Sequence, residues 1–392
     1  MRILITSIVD LTRSAHNRLH EFVRYLSRDH HVTIISIKDW WKAAQVDVDQ
    51  YNRGFEDVWS RVDLHYFTQL RISPILQELL SLFTLGKLLR KLGEFDVHFN
   101  YNTLVSGLYA SIGLKRKGVK TVYDLADDLP AMIRTSPQIN PLLRPFGGAF
   151  ARLMLHYNLQ VAEKATLTTE ALNLPSRHRE KYVLLPNGVD TELFCKKDSR
   201  QLRKEFGVED AFVLGYVGVL REWVDLEPVF GAISDLRNRG LNVKLMIVGE
   251  EGGMQHNKDL ALRYGIFENV IFTGTVPYDL VPKYISLMNV GLVPFKINSV
   301  TEGAIPLKIF EYLACEVPAI STPLPGIKLE FNDGIFYAGK RDEYTHIIHS
   351  LEANRQLGKE KGEQGRSKIV ESYSWSAITK RLEGLLRRIT HE

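Results

Sequence analysis

Short apolar runs separated by amphipathic stretches set the rhythm of the chain. "RILITSIV" (residues 2–9) is an apolar run fit for a buried parallel strand. A stretch with Leu19, Phe22, Val23 and Leu26 at helical spacing follows it. "HVTIISI" (31–37), "VDLHYF" (62–67), "VHFN" (97–100), "KTVYDL" (120–125) and "ATLTT" (165–169) read as further strands. Helical patterns over 74–92, 102–117 and 145–164 lie between some of them. This alternation predicts a doubly wound parallel sheet. Residues 172–182, "LNLPSRHREKY", are polar and aperiodic and read as the approach to a linker, before the Pro-Asn-Gly turn of "VLLPNGVD" (183–190).

The second half repeats the style. Strands are expected at 212–218, 243–249, 270–274, 290–295 and 318–322, and helices near 225–239, 255–264, 277–288 and 306–315. The tail, "SWSAITKRLEGLLRRI" (374–389), is an amphipathic helix with Ile378, Leu382 and Leu385 on one side. The expected fold class is therefore α/β: two doubly wound, Rossmann-like domains, 1–175 and 182–373, facing each other across a cleft.

Composition narrows the picture. The chain has 392 residues, 45% hydrophobic and 24% charged, as an ordinary globular protein does. Its two cysteines, Cys195 and Cys315, exclude a disulfide framework and a Cys-based metal cluster, and point to a reducing compartment. "MRILITSIVD" enters a strand without a signal-peptide pattern, and no apolar run has the length of a membrane span, so a cytoplasmic location is expected. A net charge of +4 is too mild to imply nucleic acid.

The charge is uneven. Residues 101–150 hold six Lys/Arg against three Asp, which reads either as a solvated edge or as a weak attraction to an anionic surface or acceptor. "SPILQELLSLFTLGKLLRKLG" (73–93) is apolar over much of its circumference, with Lys87, Arg90 and Lys91 near its end. It reads either as a buried helix or as one pressed on the inner face of a membrane.

In open α/β sheets ligands bind beyond the carboxyl ends of the strands, so the loops there are the candidates. After "FVLGYVG", Gly218 lets backbone approach a ligand and Val219 follows. Arg221 offers a planar guanidinium for phosphate, or is a surface Arg at a helix-entry turn. After "VKLMIVG", Gly249 opens "EEGGMQ", where Glu250 and Glu251 would repel a phosphate. After "VGLVPF", the loop through Glu302, Gly303, Ala304 and Ile305 leads to Pro306, placed in the first turn of a helix whose free N–H groups form an anion site.

On that helix Ile309, Phe310, Leu313 and Ala314 share the core face, while Lys308, Glu311, Tyr312 and Cys315 share the opposite one. Lys308 and Glu311 read either as a solvated ion pair or as ligand groups, Glu311 accepting two hydrogen bonds from a ribose diol.

These residues resemble the nucleotide-sugar site of retaining glycosyltransferase family 4, with its two-domain GT-B fold. "PLKIFEYLACEVPAIST" (306–322) resembles the family's helix-and-strand signature, and "LLPNGVDTELF" (184–194) its entry to the nucleotide-binding domain. "KLMIVGEEGG" and "GYVGVL" match in kind, and "YSWSAITKRLE" (373–383) resembles the closing helix that packs back on the N-terminal domain. The C-terminal match is long and specific; the N-terminal one is at the level of fold. The resemblance implies that Glu311 holds the donor ribose, that Gly303 to Pro306 meet the diphosphate or sugar, and that Gly218 lies beside the diphosphate.

Departures are visible. Gly303 stands where the family often has a second Glu, with Glu302 one place earlier. Val219 follows Gly218 and "REWVD" fills the region of the diphosphate clamps, leaving Arg221 and Lys308 as replacements. Ala126 stands where many members carry a His, with Asp127 and Asp128 next, and the early loop is "DLTRSAHNR".

The resemblance implies metal-independent, cofactor-free transfer of a sugar from a nucleotide-diphosphate donor to a glycan, lipid-linked or small-molecule acceptor, with retention. Arg221 and Lys308 would stabilise the leaving group. Asp127 would position the acceptor, against the plainer reading that Asp127 and Asp128 cap the helix before "LPAMI". A nucleotide-sugar epimerase and a catalytically silent nucleotide-sugar-binding module are the alternatives.

Overall fold

A computed structural model describes residues 1–14, 16–39, 55–136, 139–170, 174–249 and 254–391. It divides into two units, residues 1–186 with 375–392, and residues 187–374.

The first unit holds seven parallel strands: β1 (Arg2–Ser7), β2 (His31–Ser36), β3 (Val62–Tyr66), β4 (Val97–Tyr101), β5 (Lys120–Leu125), β6 (Lys164–Leu167) and β7 (Tyr182–Leu184), in the order β3-β2-β1-β4-β5-β6-β7. Its helices are α1 (Arg18–Asp29), the single turn α2 (Glu56–Trp59), α3 (Pro74–Leu92), α4 (Val105–Lys115), α5 (Leu129–Thr135) and α6 (Arg144–Val161). The order reverses beside β1, so right-handed crossovers put α1 on one face and α3, α4 and α6 on the other. The C-terminal helix, Trp375–His391, packs on the α1 side: Trp375 meets Phe22 edge-on at 5.8 Å, and His30 Nε2 lies 3.1 Å from Glu383.

Residues 182–184 correct the expected linker. They form β7, hydrogen-bonded in parallel to β6, so the first unit runs on to Pro186 rather than stopping near 175. Three residues are too few to show a period, and the final pairing is decided by the neighbouring strand.

Helix α3 is turned contrary to its hydropathy. Gln77, Glu78 and Ser81 face inward and are buried, while Ile75, Leu76, Leu79, Leu82 and Phe83 are exposed. The inward polar groups are satisfied. Gln77 accepts from the Lys38 amide and donates to its carbonyl, and Glu78 accepts from the amides of Val105 and Ser106.

The second unit holds six parallel strands: β8 (Phe212–Val217), β9 (Val243–Val248), β10 (Val270–Gly274), β11 (Val290–Val293), β12 (Ala319–Ser321) and β13 (Phe336–Tyr337), in the order β10-β9-β8-β11-β12-β13. Its helices are α7 (Arg200–Glu205), α8 (Glu227–Asn238), α9 (Met254–Arg263), α10 (Val281–Ser286), α11 (Leu307–Ala314), α12 (Pro325–Phe331), α13 (Arg341–Ala353) and α14 (Arg355–Ser372). Strands β8, β9 and β11 are buried almost throughout, as a sheet covered on both faces requires. Again the order reverses beside the first strand, here β8, so its carboxyl end and that of β11 flank the switch point.

Candidate functional site

Two glycines open the carboxyl edge of the second sheet. Gly218 follows β8 with φ +124°, and Gly249 follows β9 with φ +132°, a region L side chains rarely enter. A Cβ on Gly249 would lie 2.5 Å from the Gly218 carbonyl oxygen, so these two backbones approach only without one. The Gly218 amide donates to Val248 (2.8 Å) and the Gly249 amide to Gly274 (2.9 Å). Glu250 and Glu251 lie outside the described residues.

The segment after Gly218 is pinned to the end of β11. Asp225 donates to the Pro294 carbonyl (2.7 Å), Lys296 donates to that of Trp223 (2.8 Å), and Val224 bridges Phe295. Val219 is exposed, and its carbonyl accepts from the Tyr216 hydroxyl at 2.9 Å. Arg221 is exposed too, close enough to Tyr216 for its charge to oppose the rise that burial imposes on that phenol.

Helix α11 begins one residue later than expected. Pro306 is its N-cap rather than part of the first turn, extended at φ −65°, ψ 137°, with its carbonyl accepting from the Ile309 amide. The amides of Leu307 and Lys308 have no intrahelical acceptor and carry the positive end of the helix dipole. Upstream, Asn298 accepts from the amides of Val300 and Thr301, and Thr301 donates to the Lys296 carbonyl, which folds the loop back. Ile305 drops into the core; Gly303, Ala304 and Pro306 stay half-buried and Glu302 is exposed. The Glu302 carbonyl accepts from the Gly326 amide (2.9 Å), and a Cβ on Gly326 would lie only 3.2 Å from Gly303.

The wheel expectation for this helix holds for the core face, Ile309, Phe310, Leu313 and Ala314, and on the opposite face holds for two residues and fails for two. Tyr312 and Cys315 are buried, not on a free face. The Tyr312 hydroxyl accepts from the Val217 amide at 2.9 Å, and its ring occupies the space that Gly291 leaves on β11. Packing from two further sides covers a surface that periodicity alone leaves open. Lys308 and Glu311 remain half-buried.

The Lys308 ammonium lies 5.3 Å from the Tyr216 ring centre and 5.1 Å from that of Phe295, and 3.6 Å from where a Gly218 Cβ would stand. Desolvation lowers its pKa to about 8, against an opposing pull from Glu311. The arrangement therefore offers, at one strand edge, close glycine backbone, free helix amides, a lysine and a carboxylate one turn along.

In the first unit Asp128 and Asp127 part company. The Asp128 carboxylate accepts from the Ala131 amide (3.0 Å) and caps α5, while the Asp127 side chain does not cap and is accessible to solvent. It lines a shallow recess, with room for little more than one water, together with Asn102, Leu104 and Tyr123. Surrounding protein pushes the Asp127 carboxyl up, Asp124 and Asp128 add to the rise, and Arg18 opposes it.

Arg18 and Asp124 were not among the sequence candidates. They form a buried bidentate pair at 2.7 and 3.2 Å; Thr166 donates to the same carboxylate, and Arg18 also reaches the Leu185 carbonyl. Asp124 lies inside the apolar run "KTVYDL", the anomaly that singled out Glu311, and that was the available signal.

Comparison with known proteins fits this geometry. Residues 198–368 match the family of glycosyl transferases group 1. TuaH of Bacillus subtilis, named for teichuronic acid biosynthesis, is 26% identical over 206 residues, 52% of this chain and 50% of that protein. A GDP-mannose-dependent alpha-(1-6)-phosphatidylinositol monomannoside mannosyltransferase of Mycolicibacterium smegmatis is 26% identical over 211 residues, 52% of this chain and 55% of that one. The chain thus spans about half the length of these relatives. Anabaena HepE in complex with UDP superposes with a TM-score of 0.73 at 17% identity, over 99% of this chain and 100% of that one. Sucrose-phosphate synthase from Thermosynechococcus elongatus does so with 0.73 at 14%, over 99% and 98%. Both units are Rossmann-like, as in the GT-B glycosyltransferases, and the second carries a glycosyl transferases group 1 domain over residues 198–368.

Proposed function

We propose that the protein is a retaining glycosyltransferase of family 4 that moves a sugar from a nucleotide-diphosphate donor to an acceptor hydroxyl without a metal. The observation that carries this reading is the Lys308 ammonium held 3.6 Å from where a Gly218 Cβ would stand, with Glu311 near enough to act on its charge, inside the matched domain. The departing nucleotide diphosphate is an anion, so preorganised cations and N–H dipoles are what its release requires. Lys308 and Arg221 supply charge, and the backbone from Gly303 to Pro306 and the turn at Gly218, Val219 and Gly249 supply close contact. Glu311 accepts from the ribose diol. Asp127, in the first unit, is the candidate for positioning the acceptor.

The compared proteins differ in nucleotide sugar: HepE is known in complex with UDP-glucose, while the mycobacterial enzyme is named as GDP-mannose-dependent. The test is therefore a panel of UDP-, GDP-, ADP- and CMP-sugars, with and without glycan and lipid-linked acceptors and in the presence of a chelator. Acceptor-dependent release of free nucleotide diphosphate, with the anomeric configuration kept, is the expected result. A changed sugar without release would mean epimerisation, and binding without either would mean a binding module; both outcomes reject transfer.

A further inference from the structure

We propose that the amino edge of the second sheet carries a binding site for a small organic anion, a single ring bearing a phosphate or a carboxylate. A cavity of about 160 Å³ opens there. Its lining includes Phe212, the first residue of β8, Asn289, which precedes β11, and Pro318, which precedes β12. It therefore lies at the opposite end of these strands from Gly218. Open α/β sheets bind their usual ligands at the carboxyl ends, so the sugar-transfer reading makes no use of this space. A cavity of about 150 Å³ accommodates a benzene ring, which sets the size of the body. The glycines of α14 show that packing alone does not explain the opening. A Cβ on Gly362 would stand 2.1 Å from the Glu316 carbonyl oxygen, and one on Gly365 2.6 Å from the Leu313 side chain, so close approach to α11 and its exit accounts for both. Gly358 is buried and lines the cavity, yet a Cβ there would meet Leu351 at 3.6 Å and Pro318 at 3.8 Å, ordinary contacts. Nothing in the packing demands a glycine at 358, and its effect is to leave room between two residues of the lining.

The chemistry of the lining selects the occupant. Its charged members are Lys196, Arg355, Lys359 and Glu316. Glu316 is taken by Lys196 at 3.0 Å. Among the described residues Arg355 pairs with Glu352 at 3.6 Å and Lys359 with Glu363 at 3.8 Å. Both separations exceed a hydrogen bond and join partly exposed side chains, where such pairs contribute little and yield to a better partner. Asn289 has its Oδ1 engaged by the Val213 amide at 2.8 Å, so what it has left to offer is its Nδ2 donors. The Ser286 hydroxyl donates to the Pro282 carbonyl and accepts from the Lys197 amide. The side chains of the lining thus offer donors and positive charge, while their acceptors already have partners. A cationic ligand would meet three like charges; an anion meets three opposite ones. Behind them Phe212, Met288, Val317 and Leu351 are buried and apolar, and suit the face of a ring. The inference stands apart from the sugar-transfer reading: the site uses none of the residues assigned to the donor, and a chain that bound no nucleotide would still show it.

The test is calorimetric titration of the full chain with phenyl phosphate, a hexose 6-phosphate, benzoate and inorganic phosphate. At least one ring-bearing probe is expected to bind, and more tightly than inorganic phosphate; which one binds best tells a phosphate site from a carboxylate site. Arg355→Ser with Lys359→Ser should lower that affinity by about tenfold or more. Both side chains are exposed, so an unchanged thermal melt is expected for this variant. Gly358→Leu directs its side chain between Leu351 and Pro318 and should lower the affinity by a similar factor through filling the cavity. Lys308→Ala should leave it unchanged, which separates this site from the one at the carboxyl edge. The proposal is overturned if no ring-bearing probe binds at millimolar concentration, or if binding survives in Arg355→Ser, Lys359→Ser and is lost in Lys308→Ala. It is overturned as well if inorganic phosphate binds as tightly as the rings, since surface cations alone would then account for the affinity.

Discussion

Lys308 holds its ammonium between two aromatic rings, where water is scarce, and so gives up its proton near pH 8 rather than above 10. Below that value it is a cation available to a diphosphate; above it the charge is lost. Nucleotide diphosphate affinity, measured by calorimetry across pH 6.5–9.5, is accordingly expected to fall on a basic limb centred near 8, by about tenfold for one charge-assisted contact. Glu311 pulls the lysine's pKa upward, so Glu311→Gln should both weaken binding and move that limb to lower pH. Lys308→Arg should remove it, because a guanidinium stays charged throughout. A limb that does not move in Glu311→Gln would assign it to some other group. The glycines beside this pair act through geometry alone. Gly249→Ala combines a contact of 2.5 Å with a forbidden φ and should destabilise the second unit by roughly 1–3 kcal/mol in urea unfolding, while Gly218→Ala, which meets nothing closer than 3.6 Å, should suffer only the backbone strain.

At the scale of elements, α3 shows how a single buried acid fixes the direction of a helix. The Glu78 carboxylate accepts from the Val105 and Ser106 amides and, at 2.5 Å, from the Ser106 hydroxyl, capping α4 from a neighbouring helix because Leu104 has no side chain able to do so. Burial raises its pKa against the pull of those donors. Glu78→Ala would leave two helix-opening amides buried and unpaired, an expected loss of roughly 2 kcal/mol. Glu78→Gln, which keeps one acceptor oxygen, should fall between it and the parent in urea midpoint. None of this was legible beforehand: hydropathy averages over the circumference of "SPILQELLSLF" and is blind to where a partner needs a carboxylate. Strands such as β1, β2, β8 and β9 were legible because burial on both faces writes an unbroken apolar run. Glu311 was legible as an anomaly in such a run, whereas β7 was too short and Tyr312 too well covered from outside its own helix to be read from a period.

On the scale of the whole molecule, the chain leaves the first unit after Pro186 and re-enters it at Trp375. The two crossings run together within the second unit, where the Val189 amide donates to the Tyr373 carbonyl at 2.8 Å and Val189 pairs with Ser374. The returning helix then completes the first unit from the opposite end of the sequence. Trp375, Ile378, Leu382, Leu385, Leu386 and Ile389 are buried on its inner side. Arg381 donates to the Leu184 carbonyl at the end of β7. Trp375 meets Phe22, whose ring also carries the Arg18 guanidinium at 4.8 Å, so the helix bears on the buried Arg18–Asp124 pair through one aromatic ring. Trp375→Ala should therefore destabilise the first unit by roughly 3–5 kcal/mol, the range for removing a large aromatic from a packed core. A chain ended at Ser374 loses the apolar covering that this helix gives α1 and should leave the first unit molten or aggregated while the second, which keeps every strand, still melts cooperatively. Limited proteolysis with mass spectrometry separates these cases: fragments confined to residues 1–186 are expected for the shortened chain. Equal protection of both units would mean that the terminal helix is an accessory to the first unit rather than part of its core.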